Sequence, residues 1–247
     1  MSIKSISIVS LCYNDEIYIK KHIENLSFAN EIIIIDNNST DKSVSIAEEL
    51  GITVIPQNDK SKADIVKSAI DATKNNWVVF LNVTDFLSPE LINEIITEVA
   101  KPKTAASYLS GQTLFFFGKT IKYGVFLNRK KLMLFDKTRC SNIFDSNQSK
   151  KAAILKNKIH SFSYKNFEDF NSRLNIIRKE EAVALFQKNK KPNIYHFFMK
   201  PFFMFTNQYF LKLGFLNGRE GFILAYISSF SILKRYFILW LMYRNME

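Results

Sequence analysis

The sequence predicts an α/β fold: a mostly parallel sheet flanked by helices, with a small antiparallel flap and an aromatic-rich helical C-terminal segment. Three observations predict it. Short, β-branched apolar runs alternate with amphipathic stretches through residues 1–100, the rhythm of βαβ units and hence of a parallel sheet. Near residue 104 that rhythm gives way to two strand-like runs joined at Gly118–Lys119. Residues 188–247 are crowded with Phe, Tyr, Leu and Met, interrupted by Lys and Arg.

Taken in order, ISIVSLCY (6–13) is a nearly continuous apolar run, as a strand buried on both faces requires. Residues 15–28 follow as a helix, with His22 expected on its surface. EIIIIDNN (31–38) is the second strand and ends in Asp36. STDKSVSIAEEL (39–50) reads as a helix, with cap chemistry at Ser39 to Asp41 and Val44, Ala47 and Leu50 on one face; Gly51 stops it. ITVIP (52–56) is a short third strand, residues 61–74 a helix, and WVVFLN (77–82) a fourth strand. SPELINEIITEVA (88–100) is the clearest helix. Ser88 caps it, Pro89 opens it, and Leu91, Ile92, Ile95, Ile96 and Val99 form its apolar stripe. AASYLSGQTLFFFG and KTIKYG form the flap, Leu132–Phe135 is an apolar knot in a basic stretch, and residues 166–188 are helical.

Ligands of open parallel sheets bind beyond the carboxyl ends of the strands. That rule singles out Tyr13–Asn14–Asp15, Asp36–Asn37–Asn38 and Asn82–Asp85, all polar. Asp36 is a candidate for hydrogen bonding a nucleotide base, or else a turn residue satisfying local amides. Asn14 and Asp15 are candidates for the same pocket, and Asp41 is read as a helix cap.

Charge divides the chain. Residues 1–100 hold 8 Lys against 15 Asp and Glu, a net −7, whereas residues 101–247 hold 26 Lys and Arg against 8, a net +18. The aromatic and basic tail suits helices lying in a membrane interface. Lys234–Arg235 interrupts its longest apolar run, and two cations at mid-depth would cost a spanning helix several kcal/mol. No nucleic-acid motif accompanies the basic half. Cys12 and Cys140 offer neither a disulfide framework nor metal-ligand spacing, as expected for reduced thiols in the cytoplasm. MSIKSISIVS carries no long apolar h-region, which argues against a secretory signal.

Several of these stretches together resemble one family. SIVSLCYNDE, followed by IKKHIENLSFANEIIIIDNNSTDKSVSIAEELGITVI, resembles the opening of family 2 glycosyltransferases, in particular the bacterial branch of lipopolysaccharide-core glucosyltransferases. The matching positions are Asn14–Asp15, Ala29 to Ile32 and Asp36 to Asp41. GKTIKYG (118–124) resembles the flap of that branch, and Gly214–Phe215–Leu216–Asn217–Gly218 its terminal Gly-Phe-Leu-Asp-Gly stretch.

The resemblance implies a GT-A fold, a nucleotide-sugar donor, and inverting transfer to a glycan or lipid-linked acceptor in cell-surface polysaccharide or lipopolysaccharide synthesis. With it, the cysteine usage predicts a cytoplasmic protein, and the aromatic and basic tail predicts peripheral docking on the inner face of the cytoplasmic membrane. Donor binding falls to Asn14, Asp15, Asp36, Asn38, Asn82 and Asp85. The implied division is a nucleotide-sugar-binding core over 1–127, an acceptor-side part over 128–187 and an interfacial tail over 188–247.

The chain departs from the branch where the metal belongs. Leu-Asp-Ala-Asp-Glu becomes Leu81–Asn82–Val83–Thr84–Asp85, leaving Asp85 as the lone candidate ligand for Mg²⁺ or Mn²⁺, ions that prefer anionic oxygens. Arg-Leu-Phe becomes Met133–Leu134–Phe135, Val-His-Glu aligns with Ile143–Phe144–Asp145, and His-Tyr-Ser-Tyr becomes Ser161–Phe162–Ser163–Tyr164, with His160 one place early. Asp145 is the candidate base, and His160 is a second catalytic candidate. Two accounts follow. In one, the enzyme is active and Arg129, Lys130 or Lys131 replaces the metal at the diphosphate. In the other, the fold persists as an inactive binding or scaffolding partner.

Overall fold

The structure is a computed structural model that describes residues 5–57, 62–116, 118–124, 130–140, 151–162, 167–244 and 246. The chain forms two compact units, one of Met1–Thr113 with Lys130–Phe162, the other of Leu114–Arg129 with Ser163–Glu247.

The first unit carries the sheet. Its strands are β1 (Ile6–Cys12), β2 (Glu31–Asp36), β3 (Thr53–Pro56), β4 (Trp77–Asn82), β5 (Asp85–Phe86), β6 (Ser107–Phe116, which continues into the second unit), β8 (Lys130–Asp136) and β9 (Ala153–Ser161); they run in the order β3-β2-β1-β4-β8-β6-β9-β5. β3, β2, β1 and β4 are parallel, and β8 joins β4 antiparallel. The apolar knot at Leu132–Phe135 is therefore an interior strand.

Alternation along each strand sends neighbouring side chains to opposite faces, and both faces are covered. Ile8, Val79 and Leu81 pack against Leu91, Ile95 and Val99 of α4 (Pro89–Ala100). Val9, Val78 and Phe80 pack against Ile65, Val66 and Ile70 of α3 (Lys62–Asp71). Cys12 and Ile34 meet Ile19 of α1 (Glu16–Asn25) and Ala47 of α2 (Ser43–Glu49). Ser88 caps α4 by accepting from Leu91 N, as its sequence predicts. The stripe of α4 is narrower than expected: Ile92 is partly buried and Ile96 lies exposed. Leu50, expected on the buried face of α2, is also exposed, because that helix ends before it.

In the second unit the end of β6 pairs with β7 (Lys119–Ile121) to form the expected flap, turned at Gly118 with φ of 78°. Three helices follow: α5 (Phe167–Gln187), α6 (Ile194–Thr206) and α7 (Arg219–Tyr243), with a π-turn at Asn207–Leu211 and a 3-10 turn at Gly214–Asn217 between the last two. Asn217 is buried and ties that turn to the flap. Its Oδ1 accepts from Lys122 N (3.2 Å), its Nδ2 donates to Tyr123 O (3.2 Å), and its carbonyl accepts from Lys119 Nζ (2.9 Å). The two C-terminal motifs of the resemblance, 118–124 and 214–218, are thus one structural device.

Candidate active site

Four parallel strands end on one edge. The register sets Cys12 beside Asp36, Leu11 beside Asn82 and Asp36 beside Pro56, so all three polar strand ends expected to carry chemistry meet there. Two of the turns leave their strands in the left-handed region, at Asn14 (φ 51°) and Asn38 (φ 61°). Asparagine tolerates that conformation better than most residues.

The first two strand ends are cross-linked. Asn14 N donates to Ser39 Oγ and Asn14 Oδ1 accepts from Thr40 N; Asp15 N donates to Ser43 Oγ. Asp41 accepts from Glu16 N and Ser43 N, the first residues of α1 and α2, so one carboxylate caps both helices. Asp36 accepts from Ser39 N with both oxygens, and Asp15 Oδ2 accepts from Tyr13 N. Asn14, Asp15 and Asp36 therefore shape the edge through local hydrogen bonds. Tyr13, Asn37 and Asn38 present exposed surface there.

The fourth strand end is organised around Asp85, which has no exposed surface. Its Oδ1 accepts from Ser161 Oγ (2.7 Å). Its Oδ2 accepts from Asn82 N (2.9 Å), Asn82 Nδ2 (3.2 Å) and the ammonium of Lys131 (2.7 Å). Lys131 comes from β8, lies over the Phe80 ring, and keeps 18% of its side chain exposed. Burial alone pushes the Asp85 carboxyl up. The charge and hydrogen bond of Lys131, with those of Asn82 and Ser161, outweigh it and hold the group below the usual carboxylate range.

These residues do not fit a divalent cation. Both oxygens of Asp85 are engaged by protein donors inside the fold, and a hard cation needs anionic oxygens open to it and to the diphosphate. Thr84 is buried and Asn82 is neutral. Among the described residues no group of three His, Cys, Asp or Glu side chains could hold a metal. The counter-ion of Asp85 in this structure is Lys131.

His22 departs from expectation. It is fully buried rather than on the surface, because α1 turns it beneath the edge. Its Nδ1 lies 3.1 Å from the carbonyl oxygen of Asp85, and its Nε2 lies 2.8 Å from Ser10 Oγ. A carbonyl only accepts, so Nδ1 carries the proton and Nε2 accepts from the serine. Burial is the main cause that pushes its pKa down to about 4, against the opposing pull of Asp85.

Between its ordinary value of 6.5 and about 4, the unfolded chain binds a proton that the folded chain refuses. Stability is thus fully present above pH 6.5 and falls as pH drops through that window, by on the order of 3 kcal/mol in all. Urea unfolding from pH 7 to 4.5 checks this. His22→Gln is expected to flatten the slope by up to about 1.4 kcal/mol per pH unit; an unchanged slope would contradict it.

The other candidates scatter. His160 is exposed on β9, paired with Phe86, and its Nδ1 lies 3.0 Å from Thr113 Oγ1. Strand alternation turns it to the face opposite Ser161, away from Asp85. Lys130 is exposed. Asp145 and Arg129 lie outside the described residues. Ser10 escaped the sequence reading, and His22 and Ser161 were named there without these contacts.

The mixed α/β sheet, parallel on one side and flanked by helices, is the GT-A architecture. Residues 7–155 match the model of glycosyl transferase family 2, and the chain belongs to that family. It is 26% identical over 246 residues to an uncharacterized glycosyltransferase of Rickettsia bellii (strain RML369-C), covering 92% of this chain and 83% of that one. It is 35% identical over 100 residues to protein RfbJ of Shigella flexneri, covering 37% of this chain and 77% of that one. A structure of glucosyl-3-phosphoglycerate synthase from Mycobacterium tuberculosis, with Mn²⁺, uridine diphosphate and glucosyl-3-phosphoglycerate, aligns with a TM-score of 0.38 at 20% identity, covering 45% of this chain and 44% of that one.

Proposed function

We propose that the protein transfers a sugar, with inversion, from a nucleotide-sugar donor to a glycan or lipid-linked acceptor in the synthesis of bacterial cell-surface polysaccharide or lipopolysaccharide. It does so without a divalent cation at Asp85. The single observation that carries this reading is the Lys131–Asp85 pair at the end of β4. A divalent cation held by two carboxylates leaves that tip without net charge, and so does one ammonium held by one carboxylate. An ammonium has three donors. Lys131 gives one to Asp85, which leaves two for a diphosphate whose negative charge grows as the sugar departs. Tyr13, Asn37 and Asn38 offer exposed surface to the nucleotide, with Asp36 buried behind them, and Asp145 is the proposed base.

The acceptor class rests on the resemblance of the chain's motifs to lipopolysaccharide-core enzymes. The exposed aromatic surface of the C-terminal unit supports a place on the inner face of the cytoplasmic membrane. Ile194, Phe198, Phe202 and Phe203 stand out from α6, and Phe222, Tyr226, Phe230 and Phe237 from α7. Among the described residues α7 alone is long and apolar enough to cross a membrane, but 44% of its apolar window is buried, with Leu224, Ile232, Tyr236 and Leu239 packed inside the unit. That favours lying in the interface over spanning.

Calorimetric titration with a panel of nucleoside diphosphates tests the reading. One of them is expected to bind. The internal hydrogen bonding of Asn14, Asp15 and Asp36 also suits a non-catalytic scaffold, and binding of none of the panel would favour that reading instead.

A further inference from the structure

The C-terminal unit contains a groove of about 360 Å³ between α5, α6 and α7, lined by Glu181, Leu185, Lys188, Lys200, Arg235 and Tyr236. Its charges do not balance from within. Glu181 accepts from Arg178 Nη1 (2.7 Å) and Arg235 Nη1 (2.9 Å), so two guanidiniums share one carboxylate. Lys200 Nζ (2.6 Å) and Arg235 Nη2 (3.0 Å) both donate to the neutral hydroxyl of Tyr236. A phenol oxygen accepts two hydrogen bonds, so its own proton is left to donate. Among the described residues Lys200 makes no ion pair, and Arg235 Nε is buried without a hydrogen-bond partner. Lys188 adds a further cation. Beside the groove, burial and the charges of Lys200 and Arg235 hold the His196 imidazole below its usual range. Two cations on one neutral oxygen repel each other, and an anion with several acceptor oxygens would relieve them.

We propose that this groove binds a phosphate-type anion, presented as the headgroup of an anionic lipid. Lipid is favoured over a soluble source because the same helices carry the exposed aromatic side chains. Cations also rest on rings along them: Lys234 over Phe230 (5.4 Å), Arg244 over Trp240 (4.3 Å) and Lys191 over Tyr243 (5.7 Å). Apolar bodies with charged tips are the composition of an interfacial surface. The proposal rests on the membrane placement above and is independent of transfer activity.

The test is co-sedimentation of the full chain with phosphatidylcholine vesicles, with and without phosphatidylglycerol. Binding is expected to need the anionic lipid. Lys188→Gln with Lys200→Gln is expected to weaken it roughly 25-fold, about fivefold per cation. Both residues are at least partly exposed, and Gln at 200 retains a donor for Tyr236; a melting curve verifies folding. The control, Lys190→Gln with Lys212→Gln, removes equal charge from exposed positions outside the groove. A smaller loss there supports a built site, and an equal loss overturns it while leaving membrane placement standing. No binding to either vesicle, and none of inorganic phosphate, overturns both. Saturable binding of inorganic phosphate without vesicle binding assigns the groove to a soluble anion and overturns the lipid source.

Discussion

Lys131→Met is expected to destabilise the protein by roughly 3–5 kcal/mol, with Asp85→Asn toward the lower end of that range. The asymmetry follows from exposure. Asp85 is entirely buried, whereas Lys131 keeps 18% of its side chain in solvent. Removing the lysine strands a carboxylate among neutral donors, Ser161 and Asn82. Removing the carboxylate leaves an ammonium that water still reaches. In Lys131→Met the Asp85 carboxyl loses the charge that holds it down, so its pKa rises and the deficit shrinks as acid protonates it. The double variant removes both charges and is expected to be more stable than the sum of the single changes predicts. A urea-unfolding cycle measures all of this, and strict additivity would show that the pair is not coupled.

Gly221→Ala is expected to destabilise the C-terminal unit by about 3 kcal/mol or more, against the trend for its secondary structure. Within a helix, alanine is favoured over glycine by about 1 kcal/mol. At this position a Cβ would collide with the carbonyl oxygen of Gly214 and lie 3.0 Å from Asn217 Cβ. The obstacle is backbone, so relief requires α7 to move off the 3-10 turn that it packs against, and overpacking of that kind lies at or beyond the upper end of its usual cost. Gly214→Ala meets Gln208 O at 2.5 Å and is expected to act in the same direction. The damage should extend to the flap, because Asn217 holds Lys119, Lys122 and Tyr123. Thermal melting with limited proteolysis of residues 118–124 measures it; unchanged melting of both variants would mean that this packing is not tight.

What the sequence made legible was local. β1, β2 and β4 announced themselves because buried parallel strands are nearly continuous apolar, largely β-branched runs, whereas β3, at the sheet edge with no fully buried residue, was marked by its short β-branched run after Gly51. Ser88–Pro89 and Gly51 marked helix ends by chemistry that needs no partner elsewhere in the chain. The bond of Asp41 to the start of α2 was legible for the same reason, whereas its bond to Glu16 N, 25 residues away, was not. Asp85 was found as a residue but not its partners, because Lys131 and Ser161 lie 46 and 76 residues away. Nothing in a polar strand tip reveals which distant strand will lean an ammonium over it. His22 shows the same limit: on a mixed helix it reads as surface, and only the packing of α1 beneath the edge sets it between Ser10 and the Asp85 carbonyl. In the tail, the aromatic composition pointed to an interface. Which rings pack inward, such as Tyr236, and which stay outside, such as Phe198, depended on how three helices meet.

In the proposed reaction the Lys131 ammonium takes the electrostatic place of a divalent cation. The most direct measurement is the affinity of the nucleoside diphosphate that binds, determined by calorimetry in chelator and again with Mn²⁺, for the unaltered chain and for Lys131→Met. The account predicts equal affinity in the two buffers for the unaltered chain, and a loss of at least tenfold in Lys131→Met, about 1.4 kcal/mol, that Mn²⁺ does not restore. Binding by the unaltered chain that appears only with Mn²⁺ would contradict it.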